Sequence, residues 1–221
     1  MKRRHFNALA LALALPGSWT AAQAQTAGSA GGPAAPPAIL IVGDSLSAEY
    51  GLRRGTGWVA LLEQRLASEK RRARVVNASV SGETTSGGRS RLPALLRQHQ
   101  PAVVVLELGG NDALRGLPLN MTRDNLADMA RQARAAGAQV LILGMDMPPN
   151  YGTAYAREFR ELFVTVAREQ KTALVPFFLK DVADLADPTS LFQNDRIHPN
   201  EAAQATMLAN VWPELRKLLP R

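Results

Sequence analysis

The sequence contains no cysteine and only three histidines in 221 residues. The absence of cysteine excludes disulfide bonds, thiol nucleophiles, thiolate metal sites and a lipoprotein anchor, which needs a cysteine at its cleavage site. So few histidines among scattered carboxylates form no spaced set of metal ligands. An aromatic-interleaved basic strand and a basic helix, the marks of nucleic-acid-binding modules, are also missing. We therefore expect no metal, no cofactor and no nucleic-acid partner.

Residues 1–24 have the pattern of a signal peptide. Lys2, Arg3 and Arg4 precede an apolar run at residues 8–15, and small residues follow up to Ala24. A transmembrane anchor is the weaker alternative, because the apolar run is well short of the ~20 residues that span a bilayer. We expect cleavage near Ala24 and a periplasmic or secreted protein. Loss of the three basic residues lowers the formal net charge from +7 to +4.

The rest of the chain predicts a short leader followed by one domain. Residues 25–37 consist mainly of Ala, Gly, Pro, Ser and Thr without an apolar period, which is typical of a disordered segment. From residue 38 to 221, apolar runs alternate with amphipathic stretches, and Thr122 is a candidate cap of one predicted helix. The apolar runs, which are the predicted strands, lie at residues 38–42, 74–78, 103–108, 139–144 and 173–178.

These runs are apolar on both faces, as in strands covered by helices on both sides. Alternation of strand and helix favours right-handed crossovers. The sequence thus predicts a three-layer α/β/α domain with a five-stranded parallel sheet in the flavodoxin-like order 2-1-3-4-5.

Four polar motifs come after predicted strands: GDSLS at residues 43–47, SGETT at 81–85, GGND at 109–112 and DRIHPN at 195–200. In a parallel sheet the loops that follow strands gather at one edge. We therefore expect these motifs to meet in a single site, although more than a hundred residues separate the first from the last.

Ser45 is the candidate nucleophile of this site, and its hydroxyl needs a base within about 3 Å. Of the three histidines, His5 leaves with the signal peptide and His99 lies before a strand, at the opposite edge of the sheet. His198 is the remaining base, and Asp195, three residues earlier, is placed to orient its imidazole. The alternative is that Asp195 only caps a turn and that His198 is an ordinary surface residue.

Hydrolysis of an acyl bond also requires donors for the developing oxyanion. The candidates are the backbone N–H groups of Ser45 and Gly82 and the side-chain amide of Asn111. A tight turn at Gly82 and loop hydrogen bonding by Asn111 are the alternatives. We assign Asp44 and Asp112, which flank the site, to loop hydrogen bonding and not to proton transfer.

Residues beside the motifs are candidates for contact with the substrate. The methionines after the fourth strand offer soft apolar surface for an acyl chain, with core packing as the alternative. Leu114 lies in a loop at residues 113–121 and is either part of a mobile segment or a buried plug. The candidate substrate-contacting residues are Asp44, Leu114, Met145, Met147, Tyr151 and Ile197.

The four motifs resemble the four conserved blocks of the SGNH, or GDSL, hydrolases over residues 38–221. SRLPALLRQHQP, VLELGGNDALRGLP and HPNEAAQ further resemble the subgroup of bacterial periplasmic acyl-CoA thioesterases, lysophospholipases and arylesterases. The resemblance implies a triad of Ser45, Asp195 and His198, oxyanion donors at Ser45, Gly82 and Asn111, and a shallow site open to solvent. It also implies broad tolerance of esters and thioesters, and a mobile loop at residues 113–121.

The sequence therefore predicts a monomeric serine esterase that acts on small-molecule esters, thioesters or lysophospholipids through an acyl-enzyme. One alternative is a carbohydrate acetyl esterase with the same triad, and another is a non-catalytic flavodoxin-like binder that holds phosphate at GDSLS. An α/β-hydrolase of the G-x-S-x-G type is disfavoured because that motif is absent. A basic cluster near residue 71 predicts either a solvated helix end or weak contact with an anionic membrane surface: Lys70, Arg71, Arg72 and Arg74.

Overall fold

Strands and helices alternate through the computed structural model of the chain, which describes residues 35–147 and 151–219. The predicted signal peptide and residues 25–34 of the predicted leader lie outside the described residues. The strands are β1 (Ala38–Gly43), β2 (Arg74–Asn77), β3 (Val103–Glu107), β4 (Gln139–Leu143) and β5 (Ala173–Val175). The helices are α1 (Trp58–Ser68), α2 (Thr85–His99), α3 (Gly110–Leu114), α4 (Leu119–Ala135), α5 (Thr153–Gln170) and α6 (Gln204–Leu218).

All five strands are parallel and lie in the order β2-β1-β3-β4-β5, which confirms the predicted topology. Every residue of β1 and β3 is buried, as expected for strands that are apolar on both faces. Helix α1 packs against α6, whereas α4 packs against both α2 and α5, so a helix layer covers each face of the sheet. No helix within the two described ranges is long and apolar enough to cross a membrane.

Aromatic side chains pack against each other at two places in the core. Phe159 and Phe163 of α5 pack edge to face, with ring centroids 5.1 Å apart. Trp58, at the start of α1, meets Phe178 of the loop after β5 edge to face at 5.5 Å. Such pairs contribute about 0.5–1.5 kcal/mol beyond the burial of their area. The Trp58 contact also fixes α1 beneath the edge of the sheet where the motifs gather.

Three predictions about individual elements are corrected by the structure. Residues 113–121 do not form one loop, because α3 ends at Leu114 and α4 begins at Leu119, and Leu114 is 43% exposed and therefore not a buried plug. Strand β5 ends at Val175, three residues earlier than predicted, because Pro176 has no N–H to continue the ladder. Thr122 does not cap α4, since Pro118 occupies that position and Thr122 is buried within the helix. Its hydroxyl lies 3.4 Å from Asp112 Oδ1 and donates to it.

Parallel pairing brings the loops after the strands to one edge, and specific hydrogen bonds hold them together there. Val80 N–H donates to the Gly43 carbonyl at 3.0 Å, which joins the loop after β2 to the end of β1. The Asn77 side-chain amide donates to the Ser47 carbonyl at 2.7 Å. The GDSLS loop and the SGETT loop are therefore neighbours, and the site is built between them and the loops that follow β3, β4 and β5.

Candidate active site

A continuous line of hydrogen bonds joins Ser45, His198 and Asp195. Ser45 Oγ lies 3.0 Å from His198 Nε2, and His198 Nδ1 lies 2.7 Å from Asp195 Oδ2. With the ring proton on Nδ1 shared with the carboxylate, Nε2 is left as the acceptor of the serine proton. Residues 153 positions apart thus form the arrangement of a nucleophile, its base and the group that orients the base.

The two oxygens of Asp195 have separate partners. Oδ1 accepts the backbone N–H groups of Ile197 at 2.9 Å and His198 at 3.0 Å, while Oδ2 faces the imidazole. The hydrogen bond from the His198 backbone, followed by the one from its ring, lowers the pKa of Asp195 to about 2. Asp195 is thus a fixed negative charge at neutral pH, and it both closes the turn and orients the base.

Two residues that the sequence analysis missed support His198 from the sides. The ring of Tyr50 lies against the imidazole, with centroids 4.4 Å apart and planes inclined by 40°. Gln193 N–H donates to the His198 carbonyl at 2.8 Å, and the Gln193 side-chain amide donates to the Tyr50 carbonyl at 2.8 Å. Gln193 therefore ties the DRIHPN loop to the loop that carries Ser45. No motif pointed to either residue.

Asn111 is held by Asp44, and this contact was also not predicted. The Asn111 side-chain amide donates to Asp44 Oδ2 at 2.9 Å, and Asp44 Oδ1 accepts Leu46 N–H at 3.0 Å. Asp44 is only 3% exposed, and its burial raises its pKa to about 6. An amide nitrogen carries two hydrogens, so the bond to Asp44 leaves one for another acceptor.

Gly82 occupies a backbone conformation that favours glycine, with φ at +77°. Its carbonyl accepts Arg115 Nη2 at 2.8 Å, a contact that the sequence analysis did not foresee. Across the part of the chain that the structure describes, the N–H groups of Ser45 and Gly82 have no hydrogen-bond acceptor. Gly82 lies at the same edge as Ser45, but it is not among the described residues that line the cavity beside Ser45.

Asp112 connects the second and third motifs. It is fully buried, and its carboxylate accepts the N–H of Thr85 at 2.9 Å and also the Thr85 hydroxyl. The Asn125 side-chain amide donates to that hydroxyl at 3.1 Å. Asp112 therefore fixes the start of α2, next to Gly82, relative to Asn111.

A cavity of about 700 Å³ opens beside Ser45 and His198. This volume is within the range of small-molecule sites. Five of the six candidate substrate-contacting residues line it: Asp44, Leu114, Met145, Met147 and Ile197. Tyr151, the sixth, is 39% exposed and lies outside the described lining. Further apolar lining that was not predicted comes from the loops after β5: Phe177, Leu179, Ala183, Pro188 and Phe192.

The groups gathered at the site are those that acyl transfer requires. Among the residues that the structure describes, no group of three or more His, Asp or Glu side chains is placed to hold a metal ion. What the site does present is a hydroxyl, an imidazole backed by a carboxylate, an amide, and an apolar cavity next to them.

Comparison with known proteins agrees with this fold and points to a class of enzyme. Esterase TesA of Pseudomonas aeruginosa is 54% identical over 186 residues, which cover 84% of this chain and 91% of that protein. Thioesterase 1/protease 1/lysophospholipase L1 of Escherichia coli is 43% identical over 171 residues, covering 77% and 79%. A crystal structure of TesA has a TM-score of 0.80 and covers 82% of this chain and 99% of that one.

These likenesses define an ester-hydrolysing enzyme with a parallel α/β/α fold. A model of the GDSL-like lipase/acylhydrolase family matches residues 41–206, which is well over half of the chain. The chain belongs to this family. The resemblance seen in the four motifs is thereby confirmed.

Proposed function

We propose that the chain is a serine esterase that hydrolyses carboxylic esters and thioesters with apolar acyl groups, with Ser45 as nucleophile, His198 as base and Asp195 as the residue that orients the base. The observation that carries the proposal is the pair of contacts at His198: 3.0 Å from Nε2 to the serine hydroxyl and 2.7 Å from Nδ1 to the carboxylate. An ionised Asp195 stabilises the imidazolium that forms when the serine gives up its proton.

The reaction then runs in two halves. In the first, Ser45 Oγ attacks the acyl carbon while His198 Nε2 takes the hydroxyl proton, and the carbonyl oxygen becomes an oxyanion. The intermediate collapses as the bond to the alcohol or thiol breaks, and His198 returns the proton to that leaving group. In the second half, water gives a proton to His198 and attacks the acyl carbon. The bond to Ser45 Oγ then breaks, His198 returns the proton to Oγ, and the acid is released.

The proposed oxyanion donors are the N–H groups of Ser45 and Gly82 and the free hydrogen of the Asn111 amide. The two N–H groups have no acceptor within the described chain, and Asp44 holds the amide at the wall of the cavity. Each such donor contributes about 10²–10³ in rate when it is aimed at the developing charge.

The substrate class follows from the cavity. Its wall is largely apolar, and about 700 Å³ is far more than an acetyl group fills. Burial of each methylene of an acyl chain contributes about 0.8 kcal/mol. We therefore place a medium or longer acyl chain between Leu114, Met147 and Phe177, and we favour aryl esters, acyl thioesters and lysophospholipids over acetylated carbohydrate.

The proposal also covers the export of the enzyme and its oligomeric state. We propose that residues 1–24 are removed as a signal peptide, that residues 25–37 form a leader, and that residues 38–221 act as a monomeric domain in the periplasm or outside the cell. The Pro37 carbonyl, at the end of the predicted leader, accepts Arg74 N–H at 3.0 Å, which joins that end of the leader to the start of β2. Mass spectrometry of the exported protein tests the expected start near Gln25.

The basic cluster after α1 fits a helix end better than a lipid-binding surface. Arg71 pairs with Glu69 at 3.0 Å, and Arg74 donates to the His99 carbonyl at 2.9 Å. We propose the small-molecule ester as the only partner that the reaction needs. If activity on anionic substrates depended more steeply on salt than activity on neutral substrates, this proposal would be contradicted and contact with an anionic membrane surface would be favoured.

The decisive experiment combines two active-site variants with two matched controls. Ser45→Ala and His198→Ala should abolish turnover of an octanoyl nitrophenyl ester, whereas Ser68→Ala and His99→Ala, which lie away from the motifs, should retain it. Thermal unfolding of all four proteins confirms that they are folded. Full activity of either active-site variant would overturn the assignment.

A substrate panel then separates the two esterase hypotheses. Rates on octanoyl thioester and lysophospholipid should exceed the rate on acetylated xylan, because only the longer acyl chains fill the apolar cavity. A strong preference for acetylated xylan would instead establish a carbohydrate acetyl esterase with the same triad.

A further inference from the structure

Glu107 is a buried acid that the reaction described above does not use. It is the last residue of β3, it follows four buried apolar residues, and it is 1% exposed. Burial of an ionised carboxylate without a cation is very costly, so such a group is retained where it is neutral and hydrogen-bonded.

The Glu107 carboxyl lies in a space built for it. Strand pairing sets Glu107 beside Gly43, and a Cβ on Gly43 would come within 2.7 Å of Glu107 Oε2. Oε2 accepts the Ser47 hydroxyl at 2.7 Å and the backbone N–H of Asp44 at 3.2 Å. The glycine of the GDSLS motif thus makes room for an acid from the neighbouring strand, directly beneath the residue that precedes the nucleophile.

These hydrogen bonds continue from Glu107 into the core. Trp58 Nε1 is a donor only, and it donates to Ser47 Oγ at 3.2 Å, while the Ser47 hydroxyl donates its own hydrogen to Glu107 Oε2. Oε2 thus accepts two hydrogens, and the Glu107 side chain is also hydrogen-bonded to that of Asp44. In a neutral Glu107 the O–H donates to the Asp44 carboxyl.

The electrostatics of the two acids agree with that direction. Burial raises the pKa of Glu107 well above its usual value, and the nearby charge of Asp44 raises it further. The hydrogen bond between the two side chains raises the pKa of Glu107 and lowers that of Asp44, whose burial still leaves it at about 6. Burial and the charge of Asp44 both favour the neutral form of Glu107, so Asp44 is the acid of the pair that ionises first.

The chain ends at the proposed oxyanion site. Asp44 Oδ1 is occupied by Leu46 N–H, so Oδ2 is the oxygen that holds the Asn111 amide at 2.9 Å. Because both oxygens of Asp44 are hydrogen-bonded, its carboxylate is held in place and fixes one hydrogen of the Asn111 amide. This contact sets the plane of the amide and so the direction of its second hydrogen. Displacement of Asp44 would remove the hydrogen bond that fixes the orientation of this amide.

We propose that Glu107 is a positioning residue for Asn111, acting through Asp44, with Ser47 and Trp58 as its anchor in the core. The inference rests on the proposed function, since it assigns Glu107 to the stabilisation of the oxyanion of that reaction. A residue that only filled space in the core would not be connected to Asn111 through hydrogen bonds.

The test compares Glu107→Gln with Glu107→Leu by kcat on an octanoyl nitrophenyl ester. In Glu107→Gln the amide oxygen replaces Oε2 and the NH₂ group donates to Asp44, so the chain of hydrogen bonds is preserved and kcat should stay within about threefold of wild type. Glu107→Leu removes both the oxygen that accepts hydrogen bonds and the group that donates to Asp44. Its kcat should fall by at least about tenfold, up to the 10²–10³ expected for loss of one oxyanion donor, with a smaller change in KM.

A double-mutant cycle with Asn111→Ala separates positioning from a structural role. Once Asn111 is absent there is nothing left to position, so Glu107→Leu should lower kcat by less than about threefold in that background. The proposal would be overturned if Glu107→Leu lowered kcat by the same factor in the wild-type protein and in Asn111→Ala, or if Glu107→Leu alone left kcat unchanged. If Glu107→Leu does not fold, Ser47→Ala, which removes the anchor, must show the same non-additivity with Asn111→Ala.

The cycle also distinguishes failure of the inference from failure of the proposed function. An Asn111→Ala variant with wild-type kcat would refute the oxyanion role of Asn111, and with it this part of the mechanism. A large effect of Asn111→Ala that is additive with Glu107→Leu would refute only the role of Glu107.

Discussion

The two oxygens of the Asp195 carboxylate accept hydrogen bonds from different partners, and this arrangement predicts the effect of Asp195→Asn. Oδ1 accepts two backbone N–H groups and Oδ2 accepts the imidazole Nδ1–H. If the asparagine oxygen keeps the two backbone hydrogen bonds, its NH₂ group faces Nδ1 and forces the ring proton onto Nε2. If the amide is reversed, the NH₂ group faces two N–H donors and the turn is lost.

Both orientations of the asparagine are therefore harmful, and the first one removes the base. A proton on Nε2 points at Ser45 Oγ, so His198 no longer accepts the serine proton. The wrong tautomer lowers kcat by about 10⁴ in the well-studied serine hydrolases, which corresponds to about 5.5 kcal/mol at 1.36 kcal/mol per tenfold change. We expect the same order of loss here.

Asp195→Ala should be milder than Asp195→Asn. The Asp195 side chain is 37% exposed, so water can enter the vacated space and accept the Nδ1–H. The alanine variant should therefore keep at least about tenfold more activity than the asparagine variant, although both lose the fixed charge.

The assay is kcat on a nitrophenyl ester, with thermal unfolding as the test of folding. Asp187→Asn is the matched control, because Asp187 is also an exposed aspartate whose Oδ1 accepts two hydrogen bonds, both from Thr189, and it does not touch His198. The control should have wild-type kcat. Asp195→Asn within tenfold of wild type, or more active than Asp195→Ala, would refute the reasoning.

Three further predictions concern a glycine, the buried acid and the cavity. Gly82→Ala forces a residue with a side chain into the left-handed region of backbone conformation, which costs about 1–2 kcal/mol. The new Cβ would meet nothing closer than Arg115 at 3.6 Å, so the protein should fold, with a lower melting temperature and a reduced kcat. An unchanged kcat would exclude Gly82 as an oxyanion donor. Because folding raises the pKa of Glu107, the native state holds that proton more tightly than the unfolded chain, so this contribution to stability is complete below about pH 4.5 and is lost as pH rises. The melting temperature of Glu107→Gln relative to wild type should thus increase from pH 4 to pH 8, and a constant difference would show that Glu107 is not held neutral. Ala183→Phe fills part of the cavity and should lower kcat/KM for an octanoyl ester more than for an acetyl ester, while an equal loss would place the acyl chain elsewhere.

Much of the architecture could be predicted because it depends on patterns that are local in the sequence. Runs that are apolar on both faces marked all five strands, and alternation with amphipathic helices indicated a parallel sheet, for which the observed order 2-1-3-4-5 is one of the common arrangements. The end of β5 was misjudged because Pro176 lies inside an apolar run and was not weighed against it. Thr122 was taken for a cap because a buried threonine inside a helix has the same local sequence signal.

The contacts that shape the site depend on topology and could not be predicted in the same way. The Asp44–Asn111 and Tyr50–His198 contacts join residues of different loops, and no local spacing indicates which of their side chains meet. Glu107 did have a signal in the sequence, since it is a single acid within the buried run VVVLEL. Only the structure shows that its partners are Ser47 and Asp44.

The most direct test of the account is to locate the acyl-enzyme. Denaturation of the protein during turnover of a nitrophenyl ester, followed by proteolysis and mass spectrometry, should find the acyl mass on the peptide that contains Ser45 and on no other. The adduct should accumulate in Asp195→Ala if deacylation is slowed, and it should be absent from Ser45→Ala. An acyl group on another residue, or an active enzyme that never carries one, would contradict the central claim.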